Sequence, residues 1–139
     1  MEKNRKKPKP SKSETSELRA LLIEDDSDDA LMFEETLAGV DKSLKVKMEW
    51  VDGLEDGLER LAANSYDIVF LDLSLPGTQG IDTFLTLRDQ FPSTPIVILT
   101  GFTHDSFADE ARTQGAHEYL VKGDIDGALL TRVIRSAVE

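Results

Sequence analysis

The sequence contains no cysteine, which excludes disulfide bonds, thiolate metal ligands and cysteine nucleophiles together. It also contains no apolar run that approaches the ~20 residues of a membrane-spanning helix, so we expect no membrane span. No charged, apolar and small-residue signal pattern opens the chain, and secretion is therefore not expected. These absences together favour a cytoplasmic location.

The net charge of -11 is unevenly distributed along the 139 residues. Residues 1–17 hold six basic and three acidic side chains, a net charge of +3, which leaves -14 on residues 18–139. Such an acidic body disfavours contact with nucleic-acid phosphates, so no nucleic acid is expected to bind directly. The basic segment could touch an anionic surface. Its Lys, Pro and Ser content favours a disordered, solvated tail over residues 1–17, followed by one folded domain over 18–139.

Short apolar segments alternate with amphipathic ones through the folded domain. Strands are predicted at 18–23, 44–51, 68–71, 96–99 and 117–121. Helices follow each strand, with apolar side chains at helical spacing such as Leu54, Leu58 and Leu61. Ser27 and Asp52 are predicted to cap the first two helices. Five strand–helix units with unpatterned apolar strands predict an α/β fold, a doubly wound five-stranded parallel sheet.

Polar residues follow four of the predicted strands at the point where each strand ends. They are Glu24, Asp25 and Asp26 after the first strand, Asp72 after the third, Thr100 after the fourth and Lys122 after the fifth. In open parallel sheets the carboxyl ends of the strands form the binding crevice. Topology alone is therefore expected to bring these residues to one edge of the sheet.

The residue types at this edge suit phosphoryl transfer. Crowded carboxylates repel one another, and Mg²⁺, which prefers carboxylate oxygens and retained water, relieves the repulsion. A lysine supplies a compact positive charge for a phosphoryl oxygen, a threonine hydroxyl can donate a hydrogen bond to another, and an aspartate can be the nucleophile. Each residue alone also suits an ordinary loop or turn. Their joint occurrence at four strand ends favours a site.

At these residues the chain resembles the receiver domains of two-component signalling, over about Leu18 to Val138. Four segments carry the resemblance: LLIEDD, with Glu24 and Asp25 at the paired acidic positions; FLDLSLPGTQG, with Asp72 at the phosphoacceptor position; ILTG, with Thr100 at the switch hydroxyl; and EYLVKG, with Tyr119 at the switch aromatic and Lys122 at the lysine position. The resemblance implies a flavodoxin-like fold with five helices. It also implies Mg²⁺ as cofactor, a sensor histidine kinase or histidine phosphotransfer protein as phosphodonor, and a downstream protein target.

The resemblance also implies a role for each residue of the site. Asp25 and Asp72 would ligate magnesium directly, the Ser74 backbone carbonyl would be a third ligand, and Glu24 would act through water. Asp72 would be phosphorylated, and Thr100 and Lys122 would contact the phosphoryl group. The protein would then be a signalling switch rather than an enzyme with a separate substrate.

Departures and alternatives accompany this hypothesis. Gly123 stands where many receivers have proline, so a trans peptide bond is expected after Lys122. A haloacid-dehalogenase-like phosphatase would use a second aspartate at position 74, where this chain has Ser74. The alternative that the chain is a receiver fragment of a larger multidomain regulator stays open. An unphosphorylated pseudo-receiver would be expected to lose a residue such as Asp72 or Lys122, and both are present.

The alternation of the fifth strand predicts how a signal could leave the site. Tyr119 and Lys122 lie three residues apart, so a regular strand places them on opposite sides. Tyr119 is expected to face outward toward the fourth helix while Lys122 enters the crevice. Phosphorylation would draw the Thr100 hydroxyl toward the phosphoryl group and let the Tyr119 ring change rotamer, with the readout surface over residues 104–138.

Overall fold

The computed structural model describes residues 17–73, 80–101 and 105–139. Within them, five strands and five helices alternate in sequence. The strands are β1 (Leu18–Ile23), β2 (Val46–Val51), β3 (Ile68–Asp72), β4 (Ile96–Thr100) and β5 (Glu118–Val121). The helices are α1 (Ser27–Leu37), α2 (Leu54–Ala63), α3 (Ile81–Gln90), α4 (Asp105–Thr113) and α5 (Gly127–Val138). None of these helices is long and apolar enough to cross a membrane.

All strand pairs are parallel, and the strand order is β2-β1-β3-β4-β5. Every residue of β3 and β4 is buried, because helices cover both faces of the sheet. One face packs against α2, α3 and α4, through side chains such as Leu61 and Phe84. The other packs against α1 and α5, through side chains such as Phe33 and Leu130. The prediction of a doubly wound five-stranded parallel sheet is confirmed.

The predicted helix starts need two corrections. Asp26, not Ser27, caps α1: its side chain accepts hydrogen bonds from the backbone N–H groups of Asp28 and Asp29. Ser27 is the first residue of the helix. Gly53, not Asp52, lies at the N-cap position of α2, where no side chain forms a capping hydrogen bond. Asn, Asp, Ser and Gly all suit this position, so adjacent candidates cannot be ranked by type alone.

The loop after α1 and the start of α5 approach each other closely. A Cβ atom built on Gly127 would lie 2.4 Å from the carbonyl oxygen of Gly39. Only glycine fits at this contact without a backbone shift. Before α5, residues Lys122–Asp124 form a short 3₁₀ turn, and the peptide bond between Lys122 and Gly123 is trans, as expected. Lys122 is the first residue of this turn, between the end of β5 and the start of α5.

Candidate functional site

Four strand ends meet at one edge of the sheet. Ile23 at the end of β1 is in register with Leu71 of β3. Asp72 at the end of β3 is in register with Leu99 of β4, and Thr100 with Val121 of β5. Residues that continue from these ends, namely Glu24 and Lys122, therefore lie beside Asp72 and Thr100.

Three carboxylates cluster at this edge. Glu24, Asp25 and Asp72 each offer an oxygen atom, and these atoms lie within 4.8 Å of one another. Glu24 and Asp72 are almost completely buried, each 1% exposed, whereas Asp25 is exposed to solvent. Burial raises the pKa of Glu24 to about 7, the hydrogen bond from Lys122 opposes this rise, and the neighbouring Asp72 adds to it. The cluster therefore concentrates negative charge where little water can screen it.

The ammonium group of Lys122 lies among these carboxylates. Its Nζ is 2.7 Å from Oε1 of Glu24, 2.8 Å from Oδ2 of Asp29 and 3.5 Å from Oδ2 of Asp72. Burial by itself would lower the pKa of Lys122, but hydrogen bonds to Asp29 and Glu24 and the charge of Asp72 outweigh it and hold the pKa above its usual value. Lys122 is therefore a permanent cation in the crevice.

The donor set of the cluster fits magnesium. It consists of carboxylate oxygens, the hard ligands that Mg²⁺ prefers, and the exposure of Asp25 leaves one side open for the waters that this ion retains. Of the predicted metal ligands, the structure brings together the carboxylates of Glu24, Asp25 and Asp72. Ser74 lies outside the described residues, as does His104, the first residue of the predicted readout surface.

Thr100 and Tyr119, the two predicted switch residues, lie on the neighbouring strands β4 and β5. Thr100 is 1% exposed at the end of β4. Tyr119 and Ala111 of α4 both belong to the apolar layer that covers one face of the sheet, whereas Leu120, the neighbour of Tyr119, belongs to the layer on the other face. Tyr119 thus lies on the predicted side of the strand, but it is buried at 7% exposure rather than facing outward.

Comparison with known proteins settles the family. The family model described as "Response regulator receiver domain" matches residues 20–135. The chain is 34% identical over 116 residues to the cell cycle transcriptional regulator CtrA of Caulobacter vibrioides, a match that covers 84% of this chain and 48% of CtrA. The chain belongs to the response regulator receiver domain family. The FleR response regulator of Pseudomonas aeruginosa is 35% identical over 88 residues, which are 63% of this chain and 19% of FleR.

Solved structures agree on the receiver fold. A response regulator receiver domain protein from Clostridium thermocellum superposes with a TM-score of 0.74 at 25% identity, over 87% of this chain and 94% of that chain. A two-component response regulator from Clostridium difficile gives a TM-score of 0.74 at 21% identity, over 88% and 96%. This chain spans about half the length of CtrA. Receiver domains are signalling switches of two-component systems, and this chain carries one.

Two contacts in the receiver domain were not predicted from the sequence. Asp29, in the first turn of α1, accepts a hydrogen bond from Nζ of Lys122 across 93 residues of sequence. Trp50 on β2 is 44% exposed, yet its ring N–H donates a 2.6 Å hydrogen bond to the carbonyl oxygen of Glu24. The only signal for Asp29 is its place five residues after Glu24, on the first turn of a helix that begins at the acidic loop.

Proposed function

We propose that this receiver domain accepts a phosphoryl group from a phosphohistidine onto Asp72 and signals by the conformational change that follows. The donor is a sensor histidine kinase or a histidine phosphotransfer protein, and the receiver of the signal is another protein. The observation that supports this most directly is the arrangement around Asp72. Its carboxylate ends the central strand β3, almost fully buried, beside two further carboxylates and the ammonium group of Lys122.

The chemistry follows from these groups. A carboxylate oxygen of Asp72 attacks the phosphorus atom of the phosphohistidine, the N–P bond breaks, and the imidazole leaves with the bond's electron pair. The product on Asp72 is an acyl phosphate. Lys122, which already lies 3.5 Å from Asp72, supplies positive charge to a phosphoryl oxygen. We assign the hydrogen bond to another phosphoryl oxygen to the hydroxyl of Thr100.

Glu24, Asp25 and Asp72 would hold Mg²⁺, with the backbone carbonyl of Ser74 as a further ligand. When bound, the ion would neutralise the negative charge that accumulates on the phosphoryl oxygens. Asp25 and Asp72 are assigned to direct coordination, and the buried Glu24 to contact through water. The fit rests on the oxygen-rich donor set and on the 4.8 Å spread of its atoms.

Mass spectrometry of the intact protein tests the phosphorylation site. Incubation with Mg²⁺ and acetyl phosphate is expected to add one phosphoryl mass to the wild type and none to Asp72→Asn, which keeps the shape of the side chain but lacks the nucleophile. Asp67→Asn is a matched control, because Asp67 lies at the opposite end of β3 and accepts a backbone hydrogen bond from Arg19. Modification of Asp72→Asn at the wild-type rate would place the acceptor elsewhere.

The outward signal is proposed to pass from Thr100 through Tyr119 to the surface formed by α4, β5 and α5. Movement of the Thr100 hydroxyl toward the phosphoryl group would let the buried Tyr119 ring adopt a second rotamer against α4. Amide spectra with and without beryllofluoride, a phosphoryl mimic, test this route. Shifts are expected along residues 104–121, and shifts confined to the loops around Asp25 and Asp72 would contradict it.

A further inference from the structure

Lys122 is shared unequally between three carboxylates. The distances from Nζ to Glu24 and Asp29, 2.7 and 2.8 Å, are those of strong charge-assisted hydrogen bonds. The distance to Asp72 is 3.5 Å, which is longer than an ordinary N–H···O hydrogen bond. The ammonium group thus lies closer to Glu24 and Asp29 than to the proposed phosphoacceptor Asp72.

Asp29 differs from the other partners of Lys122. It does not belong to the cluster of Glu24, Asp25 and Asp72 whose oxygen atoms could share a metal ion. It lies in the first turn of α1, where the helix dipole already favours a negative charge. Its hydrogen bond with Lys122 is therefore the contact that links it to the site.

Exposure decides which bond of Lys122 breaks most easily. The side chain of Glu24 is 2% exposed, so losing the ammonium would leave a nearly dry carboxylate without its cation. The side chain of Asp29 is 38% exposed, so water can replace the ammonium at little cost. When a phosphoryl oxygen attracts Lys122, the bond to Asp29 is the one that can be given up.

We propose that Asp29 is a positioning residue of the receiver site, which holds Lys122 in a resting position and competes for it with the phosphoryl group on Asp72. The inference rests on the proposed function, because it requires Lys122 to contact the phosphoryl group. Asp29 then sets how strongly the unphosphorylated arrangement is favoured. The cost of releasing Lys122 from Asp29 is subtracted from the stability of the phosphorylated arrangement.

The test is a beryllofluoride titration of the full chain at saturating Mg²⁺, followed by amide NMR. Asp29→Asn removes the charge but keeps the shape, and it is expected to bind beryllofluoride about two- to fivefold more tightly than the control. The control is Asp28→Asn, which removes the same charge from the same helix turn. Asp28 is exposed and forms no ion pair with any described residue. Any long-range effect of lost negative charge is therefore common to both variants.

A Mg²⁺ titration without beryllofluoride supplies a second readout. Once freed from Asp29, the ammonium can pair more closely with Asp72 and oppose the metal, so Asp29→Asn is expected to bind Mg²⁺ more weakly than Asp28→Asn. In a Lys122→Met background this difference between the two variants is expected to disappear, because Asp29 acts through Lys122. A general loss of structure would not reverse sign between the two ligands.

The outcomes separate the inference from the proposed function. If the wild type binds beryllofluoride, Asp72→Asn does not, and Asp29→Asn matches Asp28→Asn or binds more weakly, competition by Asp29 is wrong and the phosphoacceptor role stands. If the difference in Mg²⁺ affinity persists in Lys122→Met, Asp29 does not act through the lysine. If the wild type binds no beryllofluoride, the proposed function fails and the inference fails with it.

Discussion

Replacing Asp25 and replacing its neighbour Asp26 are expected to affect different properties of the protein, metal binding for Asp25 and stability for Asp26. The carboxylate of Asp26 accepts hydrogen bonds from the backbone N–H groups of Asp28 at 2.8 Å and Asp29 at 3.1 Å. Loss of such a cap costs about 1 kcal/mol, and loss of the charge at the helix N-terminus adds about 0.3–1 kcal/mol. Asp26→Ala is therefore expected to lower the free energy of unfolding by about 1–2 kcal/mol, since both effects act on the same helix end.

Asp25→Ala is expected to act on metal binding instead. The Asp25 carboxylate is exposed and lies within 4.8 Å of oxygen atoms of Glu24 and Asp72, so without metal it contributes mainly repulsion. Its removal should therefore leave the free energy of unfolding unchanged or slightly higher in the absence of Mg²⁺. The affinity for Mg²⁺ is expected to fall at least about tenfold, as it does for losses in the immediate surroundings of bound metals.

Two measurements on the same samples separate the effects. Urea unfolding followed by circular dichroism without Mg²⁺ gives the free energy of unfolding. Fluorescence of Trp50, the single tryptophan, reports Mg²⁺ binding, because its ring N–H is bonded to the carbonyl oxygen of Glu24 beside Asp25. Asp26→Asn is the matched control, since asparagine caps about as well as aspartate but carries no charge.

Two results would refute the reasoning. If Asp26→Ala unfolds at the wild-type urea concentration, the capping bonds do not stabilise α1 in solution. If Asp25→Ala and Asp26→Asn lose equal Mg²⁺ affinity, the two residues contribute only charge, and the metal-binding acidic pair has been placed one residue out of register.

Three further changes probe the fold and the site. Gly127→Ala would place a Cβ atom 2.4 Å from a backbone carbonyl oxygen of the loop after α1, so it is expected to lower the free energy of unfolding in urea by about 1–3 kcal/mol. Gly123→Ala is the control and should cause no such loss, because a Cβ atom there would have nothing within 4 Å. Lys122→Met keeps the stem but lacks the ammonium, so phosphorylation by acetyl phosphate should slow at least about tenfold with an unchanged circular dichroism spectrum; a wild-type rate would contradict this. Tyr66→Phe removes a hydroxyl that donates a hydrogen bond to Glu49. In the wild type that bond holds the pKa of Glu49 below its usual value. The stabilisation from this bond is present above the usual glutamate pKa and is lost as pH falls through the lowered pKa. The free energy of unfolding of Tyr66→Phe should therefore be lower than that of the wild type by about 1–2 kcal/mol at pH 7 and by less below pH 4.

Much of the fold could be predicted because burial imposes a period on the sequence. The uninterrupted apolar segment of β3 predicts a strand covered on both faces, and the helical spacing of Leu54, Leu58 and Leu61 predicts a helix with one buried face. Both predictions are confirmed. Neither depends on the exact position of a neighbouring element, which is why sequence alone suffices.

Helix starts were less predictable, because several neighbouring residues can form the same cap. Asp26 and Ser27 are both good N-cap types, and the structure selects Asp26, whose own backbone N–H donates to Oε2 of Glu24 at 3.1 Å. That bond depends on the buried position of Glu24, which is set by packing rather than by local preference. The predicted cap was therefore wrong by one residue.

At the candidate site, too, the sequence predicts which charged residues meet but not which of them pair. The sequence predicts that Glu24, Asp72 and Lys122 meet at one edge of a parallel sheet, because strand ends converge whatever their side chains do. It does not predict how a single ammonium is divided among the carboxylates within its reach. That division depends on how α1 packs relative to the turn after β5, and it gives Asp29 a contact of 2.8 Å while Asp72 lies at 3.5 Å. The proposed switch requires Lys122 to change partners. Its partners in the resting state therefore matter most, and the residue types alone do not predict which carboxylates they are.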